Sequence, residues 1–316
     1  MIATPGRTGT PAERPRLAIS SCLLGRPVRH DGRHNLDRFL TETLAPYVDW
    51  LPVCPEVEAG LGTPREALWQ VSTAQGPRLV TRMSRVDLTG RMTAVADRRA
   101  AQLDIDGYVF KAKTPTCGIH GVPRHGNDGV DQRNRGLFAG IVMERHPLLP
   151  VEDEGRLRDP RLRADFVERV FAHARLRTFL DGDWRPRDLV AFHARHKMQL
   201  LAHDPALYRE AGRVVAGAGA RPREEVAADY AEVFGRTMTA RTTTGRNVNV
   251  LQHCLGMLAL DPARRADLVE VIDSYRAGLV PLDVPVRLMR HHARGESAAY
   301  VRDQTYLTPY PDALRE

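Results

Sequence analysis

The first half of the chain alternates short apolar runs with segments of helical spacing. Strand-like runs lie at 17–24, 49–54 and 107–112, shorter ones that form strands or element edges at 79–83 and 91–95, and helical or mixed patterns at 36–47, 94–103 and 137–143. Short apolar runs are typical of buried strands, and apolar positions three and four residues apart are typical of helices. Strands that alternate with helices predict an α/β, Rossmann-like domain with a mostly parallel sheet over residues 17–147.

The second half shows only helical periodicity. Helices are predicted at 161–180, 186–203, 205–216, 222–240, 247–260, 262–278 and 284–294. Several begin with proline in the first turn after an Asp or Arg, which is a common start signal. The pattern predicts an all-α bundle over 161–316, and the segment 148–160, with its Gly, Pro and acidic residues, is interpreted as a linker.

The first 16 residues are rich in Pro, Gly, Thr and Arg and have no signal-peptide core, so a disordered leader is expected. No apolar run approaches the roughly 18 residues that span a bilayer, so no membrane association and a cytoplasmic location are expected. Four cysteines in 316 residues do not make a disulfide scaffold. They are better interpreted as free thiols or metal ligands.

The chain is basic, with 46 Lys and Arg against 39 Asp and Glu and a formal net charge of +7. This excess favours a polyanionic partner, with nucleic acid first among the candidates. The same charge is also compatible with a basic enzyme that binds no nucleic acid.

Three cysteines each stand at or just after the end of a predicted strand, next to Gly or Pro: Cys22, Cys54 and Cys117. The carboxyl ends of strands in an open α/β sheet form the usual ligand site. Thiolates suit iron–sulfur clusters, zinc or copper(I), and three protein ligands leave one coordination position open. The alternative is that the cysteines are buried small hydrophobic residues.

Polar residues near the cysteines are candidates for chemistry. Glu56, two residues after Cys54, suits a general acid or base, or else caps a helix or pairs with Arg65. Thr114 and Thr116 place hydroxyls beside Cys117. The neighbouring cations suit an anionic substrate such as RNA, or else offset the thiolate charge: Arg26, Arg29, Arg65, Lys111 and Lys113.

These motifs resemble the thiouracil desulfidase family over residues 17–145. The matching segments are SSCLLG at 20–25 with VRHDG at 28–32, PVCPEV at 52–57 with GL at 60–61 and PR at 64–65, and TPTCG at 114–118. The resemblance implies that Cys22, Cys54 and Cys117 hold a 4Fe–4S cluster whose fourth iron is open and binds the sulfur of a thiolated pyrimidine. It also implies that Glu56 is the acid/base and Thr114 the assisting hydroxyl. The family more often has Tyr at position 30 and Ser at 114 and 116.

The second half resembles a helical domain of unknown function that is often fused behind the first. The resemblance covers about 160–312 and includes the segments at 192–197, 200–203, 247–253, 274–278, 281–282, 287–292 and 306–310. Such fused proteins are similar to bacterial desulfidases that remove sulfur from 4-thiouridine in tRNA, which implies that the helical domain grips the RNA.

Polar residues of the helical half are candidates for this grip. His193, His196 and Lys197 share one helical face with His203, and further amide, imidazole and guanidinium groups lie on later helices. The candidate contacts are His193, His196, Lys197, Asn247, Gln252, His253, Arg290 and His291. The alternative is a buried polar network that joins the helices, and zinc binding is a weaker one. Cys254 lies among leucines and is interpreted as a core residue.

The sequence therefore predicts an iron–sulfur desulfidase that hydrolyses the C–S bond of 4-thiouridine in tRNA to uridine and sulfide, without net redox change. One alternative is the same chemistry on a free thiouracil-type base. Another is a non-catalytic iron–sulfur protein that binds RNA or acts as a sensor.

Overall fold

The computed structural model describes residues 14–127, 129–295 and 299–315. The chain divides into two compact units, Met1–Ala174 with Ala313–Glu316, and Arg175–Asp312. Each unit has its own buried apolar cluster. In the part of the chain that is described, no helix is long and apolar enough to cross a membrane.

The strands of the described residues all lie in the first unit and form two four-stranded sheets. They are β1 (Arg16–Ser20), β2 (Asp49–Val53), β3 (Leu68–Thr73), β4 (Gly76–Thr81), β5 (Gly107–Phe110), β6 (Val122–Gly126), β7 (Gly129–Asn134) and β8 (Val151–Asp153). The first sheet is fully parallel, in the order β2-β1-β5-β8. Its central strands are buried on both faces, which explains their continuous apolar sequence.

The second sheet has the order β4-β3-β6-β7 and is built from two antiparallel hairpins joined by a parallel β3–β6 pair. The sequence pattern predicts only part of it, the run at 79–83. Its strands are short and carry many polar residues, so their apolar alternation is weak.

The helices of the first unit are α1 (Pro55–Glu58), α2 (Thr89–Gln102) and α3 (Leu137–Arg145). The predicted helix at 36–47 is a π-helical turn, Phe39–Leu44, followed by a 3-10 turn, Ala45–Tyr47. The strand-like interpretation of 91–95 is wrong, because these residues lie within α2, where Met92, Val95 and Ala96 face the core.

The predicted all-α second half is confirmed. Its helices are α4 (Pro160–Asp181), which contains the boundary between the units, α5 (Pro186–His203), α6 (Pro205–Ala216), α7 (Arg223–Thr239), α8 (Thr244–Gly256), α9 (Pro262–Arg276), α10 (Asp283–Gly295) and α11 (Ala299–Arg302). Side chains of Asp204, Thr243 and Asp261 cap α6, α8 and α9 by accepting backbone N–H groups. Cys254 is fully buried in this core, as predicted.

Two predicted boundaries are wrong. Residues 1–13 of the leader lie outside the described residues, but Arg14 is buried and donates to the Val48 carbonyl at 2.7 Å, and β1 begins at Arg16. The linker at 148–160 contains β8, which pairs with β5 in the parallel sheet. Its carboxylates gave it the composition of a linker, but Glu152, Asp153 and Glu154 are buried in ion-paired or hydrogen-bonded positions.

Candidate functional site

The structure brings Cys22, Cys54 and Cys117 to the wall of one cavity of about 440 Å³. Cys22 lies two residues after the end of β1, Cys54 directly follows β2, and Cys117 lies in the loop after β5. These three strands are neighbours in the parallel sheet, so their carboxyl ends meet at the same edge. The cavity therefore lies where ligands bind in open α/β folds.

Local backbone geometry places each thiol. Cys22 lies in a 3-10 turn that ends at Gly25 with a φ of 85°, in the left-handed region that glycine adopts without strain. Cys54 precedes Pro55, the first residue of α1. The backbone N–H of Cys117 donates to Thr114 Oγ1 at 2.8 Å, which closes the turn that carries the thiol.

Gly136, the residue before α3, lies directly against the backbone of the turn that carries Cys117. A Cβ at this position would lie 2.4 Å from the carbonyl oxygen of Thr116, so only glycine lets the start of α3 approach the turn.

Burial raises the pKa of all three thiols. The pKa of Cys22 is raised to about 11, chiefly by desolvation, while Lys111 and Arg29 oppose the shift. Desolvation likewise raises the pKa of Cys54 and, more strongly, that of Cys117. Thiolates at these positions therefore require a compensating positive charge within the cavity.

Glu56 lies in the first turn of α1 and forms a largely buried ion pair with Arg65. Arg65 Nε donates to Glu56 Oε2 at 2.9 Å, and its Nη2 donates to the same oxygen. The predicted pairing of Glu56 with Arg65 is thus present, so Arg65 is not a free cation for substrate. Glu56 still lines the cavity with the three thiols.

The two threonines before Cys117 have different partners. Thr116 is fully buried and donates its hydroxyl to Glu56 Oε1 at 2.6 Å. Thr114, the predicted assisting hydroxyl, instead accepts the Cys117 N–H. The hydroxyl that orients the carboxylate is therefore Thr116, which the Thr-Pro-Thr-Cys motif contains but does not distinguish from Thr114.

The remaining predicted cations of this unit differ in availability. Lys111 lines the cavity and is ion-paired with the buried Glu154, whose other oxygen accepts the Ala112 N–H at 2.8 Å. Arg29 lines the cavity and lies 3.5 Å from Asp31, and Lys113 lines the cavity with an exposed side chain. Arg26 is exposed and does not line the cavity. Glu154 has no motif around it, so the sequence carries no signal of its role.

Several predicted RNA contacts of the helical half are packing residues instead. His193, His196 and Asn247 are all buried. Desolvation lowers the pKa of His193 to about 4 and that of His196 to about 3, so both rings are neutral at pH 7. Asn247 donates to the Tyr275 hydroxyl at 3.2 Å and accepts from that of Tyr306 at 3.0 Å. Asn247 and His193, whose Nδ1 lies 3.2 Å from the Tyr230 hydroxyl, fit the alternative of a buried polar network that joins helices, whereas His196 bonds to the Phe192 carbonyl of its own helix.

The other five candidates remain at least partly accessible. Gln252, His253 and His291 are exposed, and Lys197 is half-buried. Arg290 is half-buried and donates to both carboxylate oxygens of Asp312, at 2.6 and 2.8 Å. This bidentate pair leaves Arg290 less available to a phosphate than the sequence suggests.

Comparisons with known proteins follow this division of the chain. Residues 17–154 match the model of the 2-thiouracil desulfurase family, and residues 197–311 match that of a family described as protein of unknown function, DUF1722. The uncharacterized protein YbgA of Escherichia coli (strain K12) is 28% identical over 152 residues, which cover 46% of this chain and 88% of YbgA. A solved structure, of the 4Fe-4S-dependent thiouracil desulfidase TudS, shares 27% sequence identity with a TM-score of 0.38, over 46% of this chain and 95% of TudS. Over residues 17–154 the chain is therefore similar to the 2-thiouracil desulfurase family of C–S bond-cleaving enzymes, and over residues 197–311 it is similar to the DUF1722 family.

Proposed function

We propose that this enzyme is an iron–sulfur desulfidase that converts 4-thiouridine in tRNA to uridine and sulfide by hydrolysis. One observation carries the proposal: three cysteines from three strand ends, two buried and one half-buried, share a cavity with an ion-paired carboxylate. A non-catalytic sensor has no need of that carboxylate, and the family match is to an enzyme.

The donor set fits a 4Fe–4S cluster. Three thiols are the ligands that such clusters prefer, and their desolvation requires the positive charge that iron supplies. Among the described residues no three His, Cys, Asp or Glu side chains are grouped closely enough to hold a single metal ion. The fourth cysteine of the chain, Cys254, is buried in the helical core. Cys22, Cys54 and Cys117 would therefore hold three irons, and the fourth iron would have no cysteine ligand.

When bound, the cluster supplies a Lewis-acidic iron with affinity for the substrate sulfur. The residues of the chain supply proton transfer and position. Overall the pyrimidine C=S and one water become C=O and hydrogen sulfide, so atoms and electrons balance without a redox partner. Glu56, held by Arg65 and Thr116, accepts a proton from the attacking water and returns it to the departing sulfur.

The tRNA substrate is supported by the net charge of +7 and by the fused helical region. A second candidate, a free thiouracil-type base, is favoured by the description of the matched family, 2-thiouracil desulfurase. A cytoplasmic location belongs to the same proposal, because tRNA and reduced thiols are found there.

Cysteine replacements test the cluster. After anaerobic reconstitution, the single variants C22S, C54S and C117S should lose most of the iron and acid-labile sulfide, whereas C254S, with its thiol in the helical core, should retain both. Iron and sulfide counts per chain give the result. Full iron content in all three cavity variants, or its loss in C254S, would contradict the assignment.

A further inference from the structure

The second sheet carries a layered cluster of aromatic and cationic side chains that the site does not use. The Trp69 indole on β3 stacks on the His125 imidazole on β6, with centroids 4.0 Å apart and ring planes 16° apart. The guanidinium carbons of Arg82 and Arg85 lie 5.0 and 5.3 Å from the centroid of the Trp69 ring. We define these four residues as the stacking patch.

The stacking patch faces away from the residues that support the cavity. On β3, Leu68 and Gln70 are buried, and Gln70 Nε2 donates to the carbonyls of Pro115 and Arg135 at 2.9 and 2.7 Å. Trp69, which lies between them, points to the opposite face and is half-buried. The same strand therefore supports the cavity with one face and the stacking patch with the other.

The turn that carries both arginines is fixed in place. Glu66 accepts the backbone N–H groups of Met83 and Ser84, the second at 2.9 Å, and the Ser84 hydroxyl at 2.7 Å. Arg85 has a φ of 57°, in the left-handed region that arginine rarely adopts. The Arg82 N–H donates to the carbonyl of Ala67, a residue of the cavity wall, at 2.8 Å. A single hydrogen bond therefore connects the backbone of the stacking patch to the wall of the cavity.

The chemistry of the patch suits RNA. Arg82 and Arg85 are exposed, and both guanidinium groups lie over the Trp69 ring. Guanidinium groups ordered over an indole present their N–H donors to phosphates, and indole, imidazole and guanidinium planes stack on unpaired bases. An acidic protein partner would contact only the cations, and an apolar partner would contact only the rings. Single-stranded RNA would contact both.

We propose that the stacking patch is a docking surface for an unpaired segment of the RNA substrate, beside the cavity that receives the thiolated base. This inference rests on the proposed tRNA substrate. It places part of the RNA contact on the first unit. In the helical unit, His193, His196 and Asn247 are buried and are no longer candidates for RNA contact.

The test measures the Kd of the full-length protein for tRNA that contains 4-thiouridine, over a salt series, together with conversion of free 4-thiouridine. W69L removes the aromatic plane, and W69F keeps one. R82Q/R85Q removes both cations, and R133Q is the matched control, an exposed arginine on β7 of the same sheet.

W69L should weaken tRNA binding about 5- to 150-fold, the range for loss of one stacked base. R82Q/R85Q should weaken tRNA binding. It should also reduce the slope of log affinity against log salt concentration by about 0.7 for each lost phosphate contact. W69F and R133Q should stay within about twofold, and no variant should change free-nucleoside conversion.

Tight tRNA binding by both W69L and R82Q/R85Q would overturn the patch and leave the tRNA substrate standing. No tRNA binding by the wild-type protein, with free-base activity intact, would instead remove the proposed function. The arginine pair keeps the test valid even where W69L fails to fold, since its side chains are exposed.

Discussion

At the residue scale, two fixed donors orient Glu56, the proposed acid/base. Thr116 donates to one carboxylate oxygen and Arg65 to the other, so the carboxylate has no freedom to rotate. A pair with so little exposure gains strength from its low local dielectric. From the sequence alone, the pairing of Glu56 with Arg65 was only one of several alternatives, because the spacing of the two residues does not show whether their side chains meet.

Replacement of Glu56 by Gln should leave the cluster intact and slow turnover. Gln keeps the shape and one of the two accepting oxygens, but its amide nitrogen cannot accept a hydrogen bond and the side chain cannot carry a proton. The loss of general acid–base help typically costs about 100- to 10,000-fold in kcat. Iron content and sulfide release measured on the same sample separate the two effects. Turnover at the wild-type rate would show that another group moves the proton.

The two threonines should separate into a positioning and a structural role. T116V removes the donor to Glu56 Oε1 and should lower kcat while iron content stays normal. T114V removes the acceptor of the Cys117 N–H and should lower iron retention first, with a loss of stability of about 1 kcal/mol. T114S, which keeps the oxygen, is the control and should behave like the wild type. Iron loss in T116V with none in T114V would reverse these roles.

At the element scale, the helices were predictable and the second sheet was not. Proline in the first turn and side-chain caps mark the starts of α5, α6 and α9, and these signals are local. The strand β7, with the sequence GVDQRN, is exposed along most of its length and has no apolar face to read. β8 was not recognised because its three residues include Glu152 and Asp153, which both accept from Arg156 in the turn that follows the strand. Such strands form through tertiary pairing, which no local pattern contains.

The ion pair between the ends of β5 and β8 should matter for stability. Lys111 and Glu154 have side chains only 14% and 6% exposed, so E154A leaves a buried ammonium without its carboxylate. Removal of one partner of such a pair costs about 3 kcal/mol of the free energy of unfolding. D97A, which breaks the exposed pair of Asp97 with Arg145, is the control and should have little effect. Chemical denaturation of the three proteins gives the comparison, and equal midpoints would show that the Lys111 pair contributes nothing net.

The buried histidines of α5 should make the helical unit sensitive to acid. Because burial lowers the pKa of His193 to about 4 and of His196 to about 3, the unfolded chain takes up protons below its own pKa of about 6.5 while the folded protein does not. Their contribution to stability is therefore complete above pH 6.5 and falls as the pH drops toward 4. Each histidine contributes a slope of up to about 1.4 kcal/mol per pH unit.

Hydrogen exchange of α5 in the full chain, measured between pH 6.5 and 5, checks this slope. This window lies above the range in which most carboxylates titrate. H196L, which keeps an apolar side chain in the buried site, should show a shallower pH dependence than the wild type. An unchanged slope in H196L would assign the acid sensitivity to other groups.

At the scale of the whole molecule, the sequence predicted the cavity residues of the first unit better than the proposed RNA contacts of the helical unit. The cavity, its three thiols and its carboxylate lie in the first unit, and the parallel order β2-β1-β5 explains why widely separated cysteines meet. The order of motifs along the chain allowed that convergence to be predicted. The proposed RNA contacts were less predictable, because helical spacing places residues on one face without showing whether that face points to solvent or to another helix.

The most direct test of the central claim is a stoichiometric assay in H₂¹⁸O. The reconstituted full-length protein is incubated anaerobically, without reductant, with tRNA that contains 4-thiouridine, and the nucleosides and sulfide are quantified. Hydrolysis predicts one sulfide released for each 4-thiouridine lost, and one ¹⁸O in each uridine formed, with C54S and E56Q as inactive or severely slowed controls. Sulfur loss that needs an added reductant, or uridine without ¹⁸O, would contradict hydrolysis. Failure to release sulfide from either the tRNA or a free thiouracil base would contradict the desulfidase itself.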